Sequence, residues 1–132
     1  MITPEQEILA RYRTLVVVGL SSDSAKPSHI APAFMRSHGY RIIGVNPAEH
    51  EVFGEPCYPD LASVPEPVEL VVVFRRPALC GQVAQEAAAV AAKVLWLQQG
   101  ITSSEARRIA EDAGMIYVED CCVHCVVQAS PD

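Results

Sequence analysis

The chain has 132 residues, a formal net charge of −6 and hydrophobic residues at 50% of its positions. This length fits one domain, and the composition is that of a globular protein rather than a disordered one. The negative charge argues against broad electrostatic binding to nucleic acid or to an anionic membrane surface. No apolar run approaches the ~20 residues that span a bilayer, so we expect no membrane partner.

The predicted elements alternate between apolar strands and amphipathic helices. Thr3, Pro4 and Gln6 form the pattern of a capping box with proline at the first helical position, which predicts a helix over residues 4–12. Apolar runs predict strands at residues 15–18, 41–45, 70–74, 94–97 and 115–118. Helical spacing of apolar residues predicts helices over residues 27–38, 77–92 and 103–113. Residues 48–67 are predicted to be a loop with a short helical turn near 61–64, and residues 119–132 form a tail of unassigned structure.

This alternation predicts an α/β fold, a Rossmann-like doubly wound parallel sheet of about five strands. Right-handed crossovers favour the strand order 3-2-1-4-5. Ligands of such sheets bind outside the carboxyl ends of the strands. That edge comprises residues 19–26, 46–47, 75–77, 98–101 and 119–122.

The loop after the first strand is the strongest functional feature. The strand ends at Gly19, and Ser21, Ser22 and Lys26 follow before a helix begins near Pro27. Glycine allows close backbone approach, the hydroxyls and free amides can donate to an anion, and the lysine adds charge. We therefore predict a phosphate site, with a tight turn that binds nothing as the alternative.

Two more cations leave the third strand at the same edge. Arg75 and Arg76 follow that strand, and cations beside the start of a helix are mildly unfavourable, which favours a ligand role for at least one of them. The alternative is a pair of solvated arginines. Pro77 lacks an N–H group and leaves backbone carbonyls free for a ribose or an amide of the ligand.

The pattern differs from that of a dinucleotide-binding site. Only the first glycine of G-x-G-x-x-G is present, and the second strand ends in Asn46 and Pro47 where an acid would hold the ribose of NAD. NAD binding is therefore disfavoured, and an NAD(P)-binding domain is kept only as a further alternative. At the end of the fourth strand, Gly100 permits backbone approach beside Gln98, and Trp96 is predicted to be a core residue.

The five cysteines are an odd number, and three of them fall at Cys121, Cys122 and Cys125. Free thiols and a cytoplasmic protein are expected, because nothing in the first residues resembles a secretory signal. A metal site is disfavoured, since two of these cysteines are adjacent and no second C-x-x-C pair completes a set of ligands. A thiol-exchange role for Cys122 with a ligand thiol remains open.

The segments GLSSDSAKPSHIAPAFMRSHGYRIIGVNP, GEPCYPDLASVPEPVELVVVFRRP, LWLQQGI and EDCC resemble those of small coenzyme A (CoA)-binding domain proteins of bacteria and archaea. These are similar to the CoA-binding domain of the succinyl-CoA synthetase α chain. The resemblance implies one CoA-binding domain over residues 1–132, with an amino-terminal helical segment at 1–13 and the tail at 119–132. Where the family usually has aspartate, arginine and cysteine, this chain has Asp120, Cys121 and Cys122.

The resemblance also implies roles for residues of this chain. The coenzyme's phosphates would be held by Gly19, Ser21, Ser22 and Lys26. The rest of the pocket would be formed by Asn46, Pro47, Arg75, Pro77, Gly100 and Ile101.

The expected function is non-catalytic binding of coenzyme A or an acyl-CoA, with no catalytic residue and no metal assigned. One alternative is a thiol or thioester enzyme that uses Cys122 or Asp120 on the ligand. Another is a protein that senses acyl-CoA and reports it to a protein partner or to a second copy of itself.

Overall fold

A computed structural model of the chain describes residues 2–129 and contains one seven-stranded sheet with helices on both faces. The strands are β1 (Thr14–Val18), β2 (Arg41–Val45), β3 (Glu51–Val52), β4 (Glu55–Tyr58), β5 (Leu70–Val73), β6 (Val94–Leu97) and β7 (Ile116–Val118). The helices are α1 (Pro4–Arg11), α2 (Pro27–Ser37), α3 (Pro77–Ala89), α4 (Ser104–Asp112) and α5 (Val123–Ala129). A 3₁₀ turn at Leu61–Ser63 lies where a short helical turn is predicted.

Side-chain caps confirm the predicted starts of α1 and α4, and the predicted end of α2 is confirmed as well. The Thr3 hydroxyl accepts the backbone N–H of Gln6, and the Gln6 side chain accepts the backbone N–H of Thr3, so both halves of the capping box are present. Ser103 caps α4 by accepting the N–H of Ala106. His38 is the C-cap of α2, and Gly39 follows it with a positive φ.

The parallel α/β architecture is confirmed, but the predicted strand order 3-2-1-4-5 is wrong. The sheet order is β3-β4-β2-β1-β5-β6-β7, so the third predicted strand, now β5, pairs with β1 rather than with β2. The outer edge of β2 is instead taken by β4, which pairs with it in parallel. All four residues of β5 are fully buried, as expected for a strand with neighbours on both edges and helices on both faces.

The two extra strands lie in the segment that was predicted to be a loop. β3 and β4 form an antiparallel hairpin whose two turn residues, Phe53 and Gly54, have φ values of 58° and 74°. Positive φ at both positions is typical of the type I′ turn that matches the twist of a hairpin. The hairpin thus adds an edge to the sheet and brings residues 46–50 beside the loop after β1.

The core consists of one apolar cluster on each face of the sheet, because successive strand residues point to opposite faces. Val16 and Val71 belong to one cluster, and Val17 and Trp96 to the other. The predicted core position of Trp96 is confirmed, since its side chain is fully buried.

The described part of the tail ends in α5, which packs against α1 and α2; residues 130–132 lie outside the described residues. Hydrogen bonds join the residues at its start to β6 and to Gln98, and one of them runs from the N–H of Cys121 to the carbonyl of Leu97 at 3.3 Å. The Trp96 indole N–H donates to the carbonyl of Cys121 at 2.7 Å, and the Gln98 side chain accepts the backbone N–H of Val123 at 3.0 Å. These bonds hold Cys122 beside the carboxyl ends of the strands.

Candidate functional site

A cavity of about 660 Å³ opens at the carboxyl ends of β5 and β6, between the start of α2 and the start of α5. This volume lies within the range of pockets that bind cofactors and other small molecules. Its lining comprises Lys26, Pro27, Ser28, Ile30, Ala31, Phe74, Arg75, Arg76, Gln98, Gln99, Ile101, Cys122 and His124. The predicted edge of the sheet therefore carries a cavity, and three of the predicted site residues, Lys26, Arg75 and Ile101, line it.

Three cations gather at this cavity although the chain carries a net charge of −6. Lys26 and Arg76 are exposed, and Arg75 is half-buried. Within residues 2–129, the salt bridges join Arg41 to Glu66 and Arg107 to Glu111, and none involves these three cations. They are therefore available to an anionic ligand.

The rest of the wall is largely apolar. Phe74 and Ile101 are partly buried, and Ile30 remains 47% exposed at the start of α2. An exposed isoleucine at the mouth of a cavity offers apolar surface to a ligand. The cavity thus combines cationic groups with an apolar wall, as a ligand that is part phosphate and part apolar chain requires.

The loop after β1 differs from the prediction in one respect, because its first amides are not free. The N–H of Gly19 donates to the carbonyl of Val45 at 2.8 Å, and the N–H of Ser21 donates to the carbonyl of Ser28 at 3.2 Å. Gly19 is required by packing, since a Cβ built there would lie 2.4 Å from the carbonyl oxygen of Phe74. The prediction of free amides at these two positions is wrong, because neighbouring strand and helix ends already satisfy them.

Ser22 does bind an anion, and that anion is the carboxylate of Glu49. Its backbone N–H and its hydroxyl both donate to Glu49 Oε2, at 2.7 and 2.9 Å. These two hydrogen bonds, the backbone one first, lower the pKa of Glu49, and the charge of Lys26 lowers it further. The loop therefore has the donors of an anion site, and the protein's own acid occupies them.

The remaining predicted site residues lie at the same edge of the sheet but outside this cavity. Asn46 joins two loops, because its side chain donates to the carbonyl of Leu20 and accepts the N–H of Ala48. Pro47 lines a second cavity of about 590 Å³, which shares Arg75 with the first.

Two further predicted residues have structural roles in helix and turn geometry. Pro77 is the first residue of α3. Gly100 has a φ of 85° and donates its N–H to the Asp120 carboxylate at 2.7 Å. That contact gives Asp120 a structural role in joining the loops after β6 and β7.

Sequence reasoning missed several groups at this edge. Glu49 follows the second strand by only a few residues, but its contact with Ser22 spans 27 positions of sequence and has no local signal. Phe74 and Ile30 could be found only by placing them at the strand and helix ends that meet there. His124 also lines the cavity, and its ring stacks on Phe34 at a centroid distance of 3.9 Å.

All five cysteines are free thiols. Across the described residues, no group of three or more histidine, cysteine, aspartate or glutamate side chains is arranged to hold a metal ion. The same part of the chain contains no helix that is long and apolar enough to cross a membrane.

Comparison with known proteins identifies relatives along nearly the whole chain. Residues 13–128 match the family described as CoA binding domain. The uncharacterized protein YneT of Bacillus subtilis is 36% identical over 118 residues, which cover 89% of this chain and 87% of YneT. A hypothetical protein from Pyrococcus horikoshii has a solved structure with a TM-score of 0.91 and 33% identity, covering 94% of this chain and 87% of that one.

A larger enzyme is related to part of the chain. Acetate–CoA ligase [ADP-forming] I of Archaeoglobus fulgidus is 30% identical over 61 residues, which cover 46% of this chain and 9% of the ligase.

Proposed function

The chain belongs to the family of CoA-binding domains, and on that premise we propose that it binds coenzyme A or an acyl-CoA in the cavity at the carboxyl ends of β5 and β6. The observation that carries the proposal is a set of three cations around a largely apolar cavity of about 660 Å³. These cations, Lys26, Arg75 and Arg76, form no salt bridge within residues 2–129. Coenzyme A combines several phosphate charges with a long uncharged arm, so it needs both kinds of surface.

The cations and the loop after β1 supply the phosphate contacts in this proposal. Lys26 and Arg75 donate charge-assisted hydrogen bonds, which are stronger than those between neutral groups. Ser22 adds two donors once a phosphate displaces the Glu49 carboxylate from them. Gly19, Ser21 and Asn46 position this loop, and they do so through bonds within the protein.

The apolar wall receives the rest of the ligand. Ile30 and Ile101 contact the uncharged arm, and the exposed side chain of Gln99 can bond its amides. Gly100 shapes the loop after β6, and Pro77 shapes the start of α3. Pro47 lines the second cavity at the same edge of the sheet. NAD is a weaker candidate, because Asn46 uses its side chain to join two loops where an acid would hold a ribose.

Calorimetric titration with coenzyme A, acetyl-CoA, NAD and ATP tests this function. We expect binding of at least one coenzyme A form and weaker or no binding of NAD and ATP. Absence of heat with both coenzyme A and acetyl-CoA would refute the proposal.

Charge removal locates the site within the same experiment. Lys26→Ala and Arg75→Ala should each weaken binding by about 1–3 kcal/mol through the loss of charge-assisted hydrogen bonds. Lys93→Ala is the matched control, because Lys93 precedes β6 and therefore lies at the opposite edge of the sheet. Equal affinity of all three variants and the unmodified protein would place the ligand elsewhere.

A further inference from the structure

Two thiols contact each other beside the cavity. Cys122 is half-buried and lines the cavity, whereas Cys125 is exposed in the first turn of α5. The backbone N–H of Cys125 donates to the Cys122 sulfur at 3.3 Å. This sulfur therefore occupies the place of an N-cap oxygen, and the spacing of three residues brings the second thiol against the first.

The other three cysteines do not line the cavity. Burial raises the pKa of Cys57 and Cys80, and it raises that of Cys121 to about 11. Burial therefore makes these thiols less reactive, because the thiolate is the nucleophile. The pKa of Cys125 is also raised, first of all by a hydrogen bond with the Cys122 thiol, which agrees with the contact between the two residues.

The sheet order places the thiols and the cations along one line. Moving along the sheet from β1, the loop after β1 carries Lys26, the end of β5 carries Arg75, and the end of β6 carries Gln99. Cys122 follows β7, the next strand. Three strand spacings of about 4.8 Å separate β1 from β7, which is about 14 Å. A ligand whose phosphates contact the cations can therefore extend its other end along the strand ends toward Cys122.

We propose that Cys122 and Cys125 are a dithiol pair that reduces a disulfide of coenzyme A, with Cys122 as the attacking thiol and Cys125 as the resolving thiol. The inference rests on the proposed function, because the cavity delivers the ligand's sulfur to Cys122. Its substrate class is the disulfide that joins two coenzyme A molecules through their thiols.

The reaction balances in two exchange steps. In the first, Cys122 gives up its proton and its sulfur attacks one sulfur of the ligand disulfide, so that a Cys122–coenzyme A disulfide forms and one coenzyme A thiolate leaves and takes up a proton. In the second, Cys125 loses its proton and attacks the Cys122 sulfur, which forms the Cys122–Cys125 disulfide and releases the second coenzyme A thiol. Two electrons pass from the dithiol to the ligand disulfide.

Stoichiometric oxidation of the reduced full-length chain by coenzyme A disulfide tests the inference. We expect the reaction to release two coenzyme A thiols for each chain of the unmodified protein, measured after free coenzyme A is separated from the protein. Cys125→Ser should release one thiol and retain coenzyme A on Cys122, identified by mass spectrometry of the intact protein and its peptides. Cys122→Ser should release none, and it should fold because serine is a favoured N-cap residue.

Cys121→Ser is the matched control and should behave as the unmodified protein. The inference is overturned if Cys122→Ser releases one or more coenzyme A thiols per chain at the rate of the unmodified protein, or if the adduct in Cys125→Ser maps to another cysteine. It is also overturned if cystamine, a small disulfide without phosphates, oxidises the pair as fast as coenzyme A disulfide does. We expect coenzyme A disulfide to react at least about tenfold faster, because the cavity holds its sulfur near Cys122.

Failure of the inference can be distinguished from failure of the proposed function. Calorimetric binding of coenzyme A to Cys122→Ser, without thiol release by the unmodified protein, overturns the dithiol role and leaves the binding function intact. Absence of coenzyme A binding overturns the binding function, and equal oxidation by both disulfides then overturns the inference as well.

Discussion

Replacing Gly19 by alanine tests the packing that positions the candidate site. Gly19 has a φ of 93°, and a Cβ at this position would lie 2.4 Å from the carbonyl oxygen of Phe74, at the end of β5. Because the atom that it meets is backbone, the ends of β1 and β5 must separate to relieve the contact. The side chain of Phe74 lines the cavity, so this movement also changes the cavity wall.

The expected loss of stability has two parts. Placing alanine in a left-handed backbone conformation costs about 1–2 kcal/mol. The contact with Phe74 adds about 1–3 kcal/mol, as overpacking of a well-packed interior does. We therefore expect Gly19→Ala to lower the free energy of unfolding by about 2–5 kcal/mol, which leaves most domains of this size folded.

Gly114→Ala separates the two parts. Gly114 has a φ of 77°, but a Cβ there meets nothing within 4 Å. This control should lose only the conformational part, about 1–2 kcal/mol. The effect of alanine on the unfolded chain is common to both variants and cancels in the comparison.

Urea unfolding followed by circular dichroism measures both free energies, and an unchanged m-value would show that the same transition is compared. Calorimetry should also show weaker coenzyme A binding by Gly19→Ala than by Gly114→Ala. Equal losses of stability in the two variants would refute the reasoning, because the contact with Phe74 would then have no energetic effect.

Three further predictions concern the loop after β1 and the start of the tail. Glu49→Gln should tighten coenzyme A binding in calorimetry, because it removes the charge that competes for the donors of Ser22. Unchanged affinity would mean that no phosphate replaces Glu49 at these donors. Trp96→Phe should lower the free energy of unfolding in urea by about 2–4 kcal/mol, because it leaves the Cys121 carbonyl without its donor and leaves space in the core; a loss no larger than that of an exposed substitution would contradict this. Burial raises the pKa of the Cys121 thiol from 9.0 to about 11. As pH rises, the unfolded chain therefore loses the thiol proton before the folded protein does. The contribution of the protonated thiol to stability is present below pH 9 and is lost toward pH 11. Cys121→Ser should therefore show a smaller fall in urea midpoint between these pH values, and an unchanged fall would refute this.

Much of the fold could be predicted from the sequence, because its signals are local. Apolar runs such as Leu70–Val73 identified the strands, and the capping box at Thr3 identified the start of the first helix. The resemblance to CoA-binding domains is confirmed over residues 13–128. Strand order was not predictable in the same way, because buried strands rich in valine are interchangeable until their neighbours are known.

The edge hairpin was missed for a specific chemical reason. Its turn residues, Phe53 and Gly54, both have positive φ, and the usual sequence signal for that geometry is asparagine or aspartate before glycine. Phenylalanine at the first position does not give this signal. The short strands are also largely exposed, so they lack the apolar alternation by which a strand is found.

The candidate site could be predicted only as an edge of the sheet. Lys26 and Arg75 follow strands directly, so topology brought them to the cavity that they line. The amides of Gly19 and Ser21 appeared free because their acceptors, Val45 and Ser28, lie in other elements. The α5 helix had no clear sequence signal. Because the helix was not predicted, the position of Cys122 beside the cavity could not be predicted either.

The hydrogen bond between Trp96 and the carbonyl of Cys121 has a practical consequence. Trp96 is the chain's one tryptophan. Its indole N–H donates to the backbone carbonyl of the residue immediately before Cys122. Indole emission responds to hydrogen bonding and to nearby quenchers such as thiols and disulfides. The protein therefore contains an intrinsic fluorophore at the junction between sheet and tail, and its emission spectrum reports on that junction without any added label.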